Sequence, residues 1–158
     1  MKPAPFEYLA PTTIEEACTA IADAGGGAEV LAGGQTLLPL LNLRMSQPFI
    51  LVDINNIEAL KGIERANGYT RIGSMTRQCE AIESETLAQH LPALVKAVKH
   101  VGHYQTRTRG TVGGSITLGE PAAELPATAV ALDAIIEVQS VEGVRKIPAS
   151  EFYFGPFM

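Results

Sequence analysis

The chain has 158 residues, 46% of them hydrophobic and 18% charged, with a formal net charge of −5 at pH 7. That length fits one ordinary domain or two small subdomains, and the apolar content supports a core, which excludes a disordered chain. The acidic balance argues against general nucleic-acid binding, which wants a basic surface, and no apolar run reaches membrane-spanning length. Cys18 and Cys79 lie far apart with no CxxC, so no disulfide framework is expected, and the N-terminus has no signal-peptide apolar region. These features predict a soluble, cytoplasmic protein.

Phe6–Leu9 is a short apolar lead-in closed by Pro11. Thr13 and Glu16 match a capping box, and Ile14, Ala17, Cys18, Ile21 and Ala22 then mark one apolar helix face. Gly25-Gly26-Gly27 stops that helix. Glu29–Leu31 predicts a short strand, Thr36 a cap for a brief helix through Leu43, and Phe49–Ile54 a buried parallel strand. Together they predict a small βαβ unit. After Asn55-Asn56 the pattern changes, which places a subdomain boundary there, with residues 1–55 in one unit and 56–158 in another.

In the second unit, Leu60–Glu64 and Thr70–Ile72 predict strands across an Asn67-Gly68 hairpin turn. Thr76 is expected to start a helix through about Ile82. Leu91, Leu94, Val95 and Val98 form another helix face, with Pro92 tolerated in its first turn. A loop is expected over His100–Arg109, then a helix over Leu125–Ala134 and a hairpin of Ile135–Ser140 with Val144–Ile147. The chain stops at the apolar FYFGPFM, Phe152–Met158, which predicts either a longer parent protein or a terminus packed against something.

Two stretches repeat one design. LAGGQTL (Leu31–Leu37) and RGTVGGSITLGEPAAE (Arg109–Glu124) each carry a Gly-Gly pair beside small hydroxyl residues. Paired glycines let the backbone take positive φ and admit a ligand without an obstructing Cβ, and consecutive exposed N–H groups in such a turn form an anion nest. One elongated phosphate-bearing ligand held from two sides is therefore expected, against the plainer reading of two ordinary turns.

Other candidates have two readings each. His100 and His103 are spaced for a shared metal but have no evident third ligand, and His is also favourable at a helix C-terminus. Lys96, Lys99, Arg107 and Arg109 form either a solvated basic helix end or a docking surface. Glu120 and Glu124 are either helix N-terminal acids or acceptors for ribose or ribityl hydroxyls. The chain lacks GxGxxG, GxxxxGK[ST], HExxH and GxSxG, and offers no nucleophile or acid–base pair. Any catalysis would rest on a cofactor.

Five ordered motifs carry a family resemblance: AGGQTLLPLLNLR (Ala32–Arg44), VDI (Val52–Ile54), IGSMT (Ile72–Thr76), RGTVGGSI (Arg109–Ile116) and GEPAAELP (Gly119–Pro126). Together they resemble the FAD-binding medium subunit of molybdenum hydroxylases, the carbon monoxide dehydrogenase medium subunit and its relatives, and the FAD domain of xanthine dehydrogenase. The resemblance spans nearly the whole chain. It implies the α+β FAD-binding fold of the p-cresol methylhydroxylase and vanillyl-alcohol oxidase type, with a small N-terminal α/β subdomain and a second subdomain built on an antiparallel sheet.

The same resemblance implies that Ala32, Gly33, Gly34, Gln35 and Thr36 hold the FAD pyrophosphate through backbone N–H groups, with Leu31 and Leu37 counted in the same cofactor site. Thr111, Val112, Gly113, Gly114 and Ser115 would contact the pyrophosphate and the flavin side. Val101 would line the pocket, and Glu124 would face the cofactor hydroxyls. Gln35 stands where the family commonly has His or Asn, Ser115 where it has Asp or Asn, and Glu124 is one methylene longer than the usual Asp. The family's C-terminal domain has no counterpart here, so a truncated or split subunit is expected. The implied role is an electron-transfer subunit. Electrons would come from a large molybdenum-cofactor subunit through the 2Fe–2S clusters of a small subunit to FAD, then to NAD or another acceptor. Two alternatives stand beside it: a non-catalytic assembly module with weak FAD affinity, and a stand-alone flavin oxidoreductase of the same fold.

Overall fold

The computed structural model describes residues 1–158. Its first half is organised around ILVD, Ile50–Asp53 (β3), whose Leu51 and Val52 are buried. β3 is the middle strand of a three-stranded parallel sheet, with Glu7–Leu9 (β1) on one side and Ala28–Leu31 (β2) on the other. The register pairs Leu9 with Val52 and Leu31 with Asp53. The apolar lead-in is thus an edge strand. At three residues it carries no readable period, and its partner lies more than 40 positions away in sequence, so only tertiary pairing defines it.

Ile14–Asp23 (α1) packs over this sheet, and Ala17 joins Val52 and Ile57 in one core cluster. Its capping box is present. Thr13 Oγ1 accepts the Glu16 N–H at 3.2 Å, and Glu16 Oε2 accepts the N–H groups of Thr12 at 2.9 Å and Thr13 at 3.3 Å. Those backbone donors hold the Glu16 carboxyl below its ordinary pKa. Leu37–Asn42 (α2) follows β2, but Thr36 makes no side-chain cap bond. A 3₁₀ turn, Glu58–Leu60, leads out of this part, and Ile57 and Leu60 still pack into its core.

Ile63–Ala66 (β4) and Tyr69–Ile72 (β5) form the hairpin expected around Asn67-Gly68, both of which take positive φ. Then come Gln78–Glu83 (α3), Glu85–His90 (α4), Pro92–His100 (α5), Tyr104–Arg109 (α6), Val112–Leu118 (α7) and Glu124–Ala131 (α8). A second core cluster joins Ala81, Leu87, Leu94, Val95, Val98, Val112 and Leu125 from these helices. α3 starts at Gln78, two residues later than predicted, with Arg77 at the N-cap. Thr76 is buried, and its hydroxyl donates to the Gly62 carbonyl at 3.0 Å.

The stretch read as a loop contains α6. YQTRTR has no apolar period to announce a helix, and its closing Gly110 N–H donates to the Thr106 carbonyl at 2.7 Å. Ile135–Ser140 (β6) and Gly143–Pro148 (β7) pair as a second antiparallel hairpin, separate from the first. The Cys18 thiol reaches the Gln139 carbonyl at 3.5 Å, joining α1 to that hairpin. Ala149–Phe152 (α9) follows. Beyond it, Tyr153 donates its hydroxyl to the Ile116 carbonyl at 3.1 Å, while Phe154 and Phe157 are exposed. No helix is long and apolar enough to cross a membrane.

Candidate functional site

The two glycine stretches, far apart in sequence, meet in the structure. A Cβ built on Gly33 would stand 2.5 Å from the Arg109 carbonyl oxygen and 2.9 Å from Gly110 Cα. One on Gly114 would stand 3.7 Å from Ala32 Cβ. Gly33 is therefore glycine because another backbone runs against it, a close approach that a side chain forbids.

The stretches differ in how their amides are used. From Ala32 to Leu37, no backbone N–H has a hydrogen-bond partner within the chain. Gly34 sits in this run with φ +69°, a left-handed residue of the kind that turns successive N–H groups toward one side. Gln35 Nε2 donates back to the Gly33 carbonyl at 3.2 Å and so braces the turn from outside. Leu31 precedes the run as the last residue of β2, and Leu37 opens α2.

The second stretch is not a turn. Gly113 and Gly114 lie in the first turn of α7, and neither has positive φ. Their four-residue neighbourhood is fully bonded. The Val112 N–H donates to the Thr76 carbonyl at 3.0 Å, Gly113 to Ser74 at 2.8 Å, Gly114 to Thr111 Oγ1 at 3.1 Å, and Ser115 to the Thr111 carbonyl at 3.2 Å. The expectation of a φ-positive nest here is corrected by this packing. Gly113 lacks a side chain because its Cα rests on Ser74, whose backbone oxygen would stand 2.7 Å from any Cβ. Glycine is a poor helix former, and the Thr111 cap offsets that cost.

A polar chain ties the stretches together. Tyr8 donates its hydroxyl to Asp53 Oδ2 at 2.6 Å, and Asp53 Oδ1 accepts from the Asn55 side chain at 2.6 Å. Asn55 Nδ2 also donates to the Ala32 carbonyl at 2.9 Å, while its Oδ1 accepts from Arg77 Nη2 at 2.5 Å. Arg77 Nη1 then donates to the Arg109 carbonyl. Partial burial pushes the Asp53 carboxyl upward, but the donors Tyr8 and Asn55, with the Arg77 charge, outweigh it and hold its pKa below the ordinary value. Asn55 and Arg77 also line a cleft of about 390 Å³ with Lys61, Gly62, Ile63, Met75, Thr76 and Glu80.

Sequence reasoning missed Asp53, Asn55 and Arg77. The signal available was their place inside or beside the VDI and IGSMT motifs, with Asp53 closing β3, Asn55 two residues further on and Arg77 directly after IGSMT.

The remaining candidates lie elsewhere. Val101 caps α5, and its carbonyl accepts from Arg107 Nη1 at 2.8 Å. Glu124 opens α8. No hydrogen bond or ion pair joins either to the glycine segments. Arg107 is thus spent on the turn after α5, whereas Lys96, Lys99 and Arg109 form no ion pair. His100 ends α5 and His103 precedes α6, and no group of three or more His, Cys, Asp or Glu side chains is placed to hold a metal ion.

A parallel three-stranded sheet whose β2–α2 loop presents a run of free amides offers the donor set that an anionic cofactor takes. The matching family model is the FAD binding domain in molybdopterin dehydrogenase, over residues 4–158, and the chain belongs to that family. It is 44% identical to the 6-hydroxypseudooxynicotine dehydrogenase complex subunit alpha of Paenarthrobacter nicotinovorans, over 100% of this chain and 53% of that protein. It is 39% identical to the carbon monoxide dehydrogenase medium chain of Hydrogenophaga pseudoflava, over 100% of this chain and 55% of that one. The solved carbon monoxide dehydrogenase from that organism superposes with a TM-score of 0.98, at 39% identity, over 100% of this chain and 55% of that chain. The fold is therefore the FAD-binding fold of the p-cresol methylhydroxylase type. The chain spans about half the length of the curated relatives it matches.

Proposed function

We propose that the chain seats the FAD of a molybdenum-containing hydroxylase or dehydrogenase and, within that assembly, passes electrons from partner iron–sulfur clusters to NAD or another acceptor. A large molybdenum-cofactor subunit and a small 2Fe–2S subunit are the implied partners, in the cytoplasm. The observation that carries the reading is the run of unpartnered N–H groups from Ala32 to Leu37 around left-handed Gly34. A diphosphate supplies the acceptors such a run wants, with no charged side chain needed.

The geometry of the two glycine segments supports one division of labour. Ala32–Thr36 would bind the pyrophosphate through main-chain donors, and Gly33 keeps those donors against the α6–α7 junction. Thr111 and the bonded amides of Val112–Ser115 form the floor on which that segment rests. Ser115, Val101 and Glu124 keep their proposed places along the cofactor. Bound FAD would supply a group that takes electrons one at a time from iron–sulfur clusters and releases them singly or as a pair. No residue of the chain is asked to act as acid, base or nucleophile.

The test is titration of the purified chain with FAD and FMN, followed by flavin fluorescence. FAD should bind more tightly than FMN, which lacks the second phosphate. Equal affinities, or none for either, would remove the pyrophosphate reading. Co-expression with cognate molybdenum and iron–sulfur subunits should give one stable flavin-containing complex. Recovery of a monomer indifferent to both partners would count against the electron-transfer role.

A further inference from the structure

We propose that Arg77 is a positioning residue for the cofactor site: its guanidinium clamps the amide-bearing segment to the α6–α7 junction and keeps the free amides aimed before any ligand arrives. The inference rests on the FAD-seating reading above, and it concerns a residue that touches the site only through others.

The two glycine stretches share a packed contact but no direct hydrogen bond. Every polar tie between them runs through one path. The Ala32 carbonyl is held by Asn55 Nδ2, Asn55 Oδ1 by Arg77 Nη2, and the Arg109 carbonyl by Arg77 Nη1. Asn55 Oδ1 accepts from Arg77 in this arrangement. Its amide group already serves Ala32 and Asp53, so its orientation is fixed from both ends. Arg77 is itself fixed at the backbone, where its N–H donates to Glu80 Oε2 at 2.8 Å at the start of α3.

A segment with six unbonded amides is not held in place by its own N–H groups. Backbone donors left in water cost entropy to order when a ligand arrives, and a brace that orders them beforehand removes that cost. The guanidinium suits the role because its planar fork reaches two carbonyl-type acceptors at once, which an ammonium point charge does with less directional definition. It also places a permanent positive charge beside the diphosphate seat without consuming any of the seat's donors.

The experiment compares wild-type chain, Arg77→Ala and Arg77→Lys by FAD titration, thermal melting and amide NMR spectra of the ligand-free protein. FAD affinity should fall about ten- to a hundredfold in Arg77→Ala, the size of losing one or two hydrogen bonds to a charged group. Arg77→Lys should stay at least about threefold weaker than wild type, because charge without the fork does not restore the clamp. In Arg77→Ala without ligand, the amide peaks of Ala32–Thr36 should broaden or split while those of β3 and α5 stay put. Unchanged peaks in that segment would overturn the proposal. So would full recovery by lysine, unchanged FAD affinity in Arg77→Ala, or loss of the folded state in both variants. A wild-type chain with no FAD affinity would sink the FAD reading, and the ligand-free spectra would still decide whether Arg77 is the brace.

Discussion

Ala32–Leu37 and Thr111–Ser115 look alike in sequence and do opposite things in the fold. Both present a Gly-Gly pair separated by one residue from a threonine. In the first, the backbone donors face no acceptor of the chain and one glycine is left-handed. In the second, each donor from Val112 to Ser115 is already bonded and both glycines are helical. Glycine serves two ends here. In one segment it permits a strained turn that exposes donors, and in the other it lets a helix lie directly on Ser74. A Gly-Gly pair by itself does not distinguish a ligand seat from a packing contact; the accounting of its N–H groups does.

The substitution that breaks the comparison most broadly is Gly33→Ala, because Gly33 is where the two segments touch. Its Cβ would press on the Arg109 carbonyl and Gly110 Cα, backbone atoms that cannot swing aside. Overpacking of this kind costs about 1–3 kcal/mol, and in a domain of this size each kcal/mol lowers Tm by roughly 2–4 °C. Thermal melting should show that fall, and FAD titration should show a loss of at least about tenfold as the amide run is displaced. A variant that melts and binds as wild type does would dissolve the claimed convergence.

Gly113→Ala separates the two segments. Its Cβ would overlap Ser74, so the melting temperature should drop by a similar amount, again on the scale of about 1–3 kcal/mol. Measured well below that melting temperature, FAD affinity should change less than about threefold, because the donors at this site serve the fold rather than the ligand. A large affinity loss with an unchanged melt would reverse the assignment.

The smallest effect is a pH dependence. Asp53 has its pKa depressed in the folded state, so its contribution is present above the unfolded value of about 3.9 and is lost as pH falls through the lower folded value. Acid titration of stability should therefore decline below about pH 4, and Asp53→Asn should flatten that part of the profile. The carboxyl is only partly buried, which keeps the effect modest. An unaltered profile in the variant would show that the Tyr8–Asp53–Asn55 contacts carry no linkage.

Much of the fold was legible from local pattern. The Thr13–Glu16 box, the apolar face of α1, the run Phe49–Ile54, the Asn67-Gly68 turn and the Leu94–Val98 face all correspond to elements of the structure. What was not legible depended on distant partners. β1 exists because Ile50–Val52 lies beside it, and α6 has no amphipathic period to betray it. The convergence of the glycine segments was expected, but the helical state of Gly113-Gly114 was not, since propensity argues against helix there and only the Ser74 contact and the Thr111 cap explain it. Arg77 and Asn55 were invisible for a similar reason: each is an ordinary polar residue until the topology sets Asn55 between the Ala32 carbonyl and Arg77, and Arg77 between Asn55 and the Arg109 carbonyl.

The most direct measurement is the shift of backbone amide resonances when FAD is added to isotopically labelled chain. Shifts should concentrate on Gly33, Gly34, Gln35 and Thr36, whose N–H groups gain an acceptor they lack in the free chain. The amides of Val112 and Gly113, already bonded to Thr76 and Ser74, should move little. Large shifts at Val112 and Gly113 with a silent Gly33–Thr36 segment would contradict the assignment of the pyrophosphate seat.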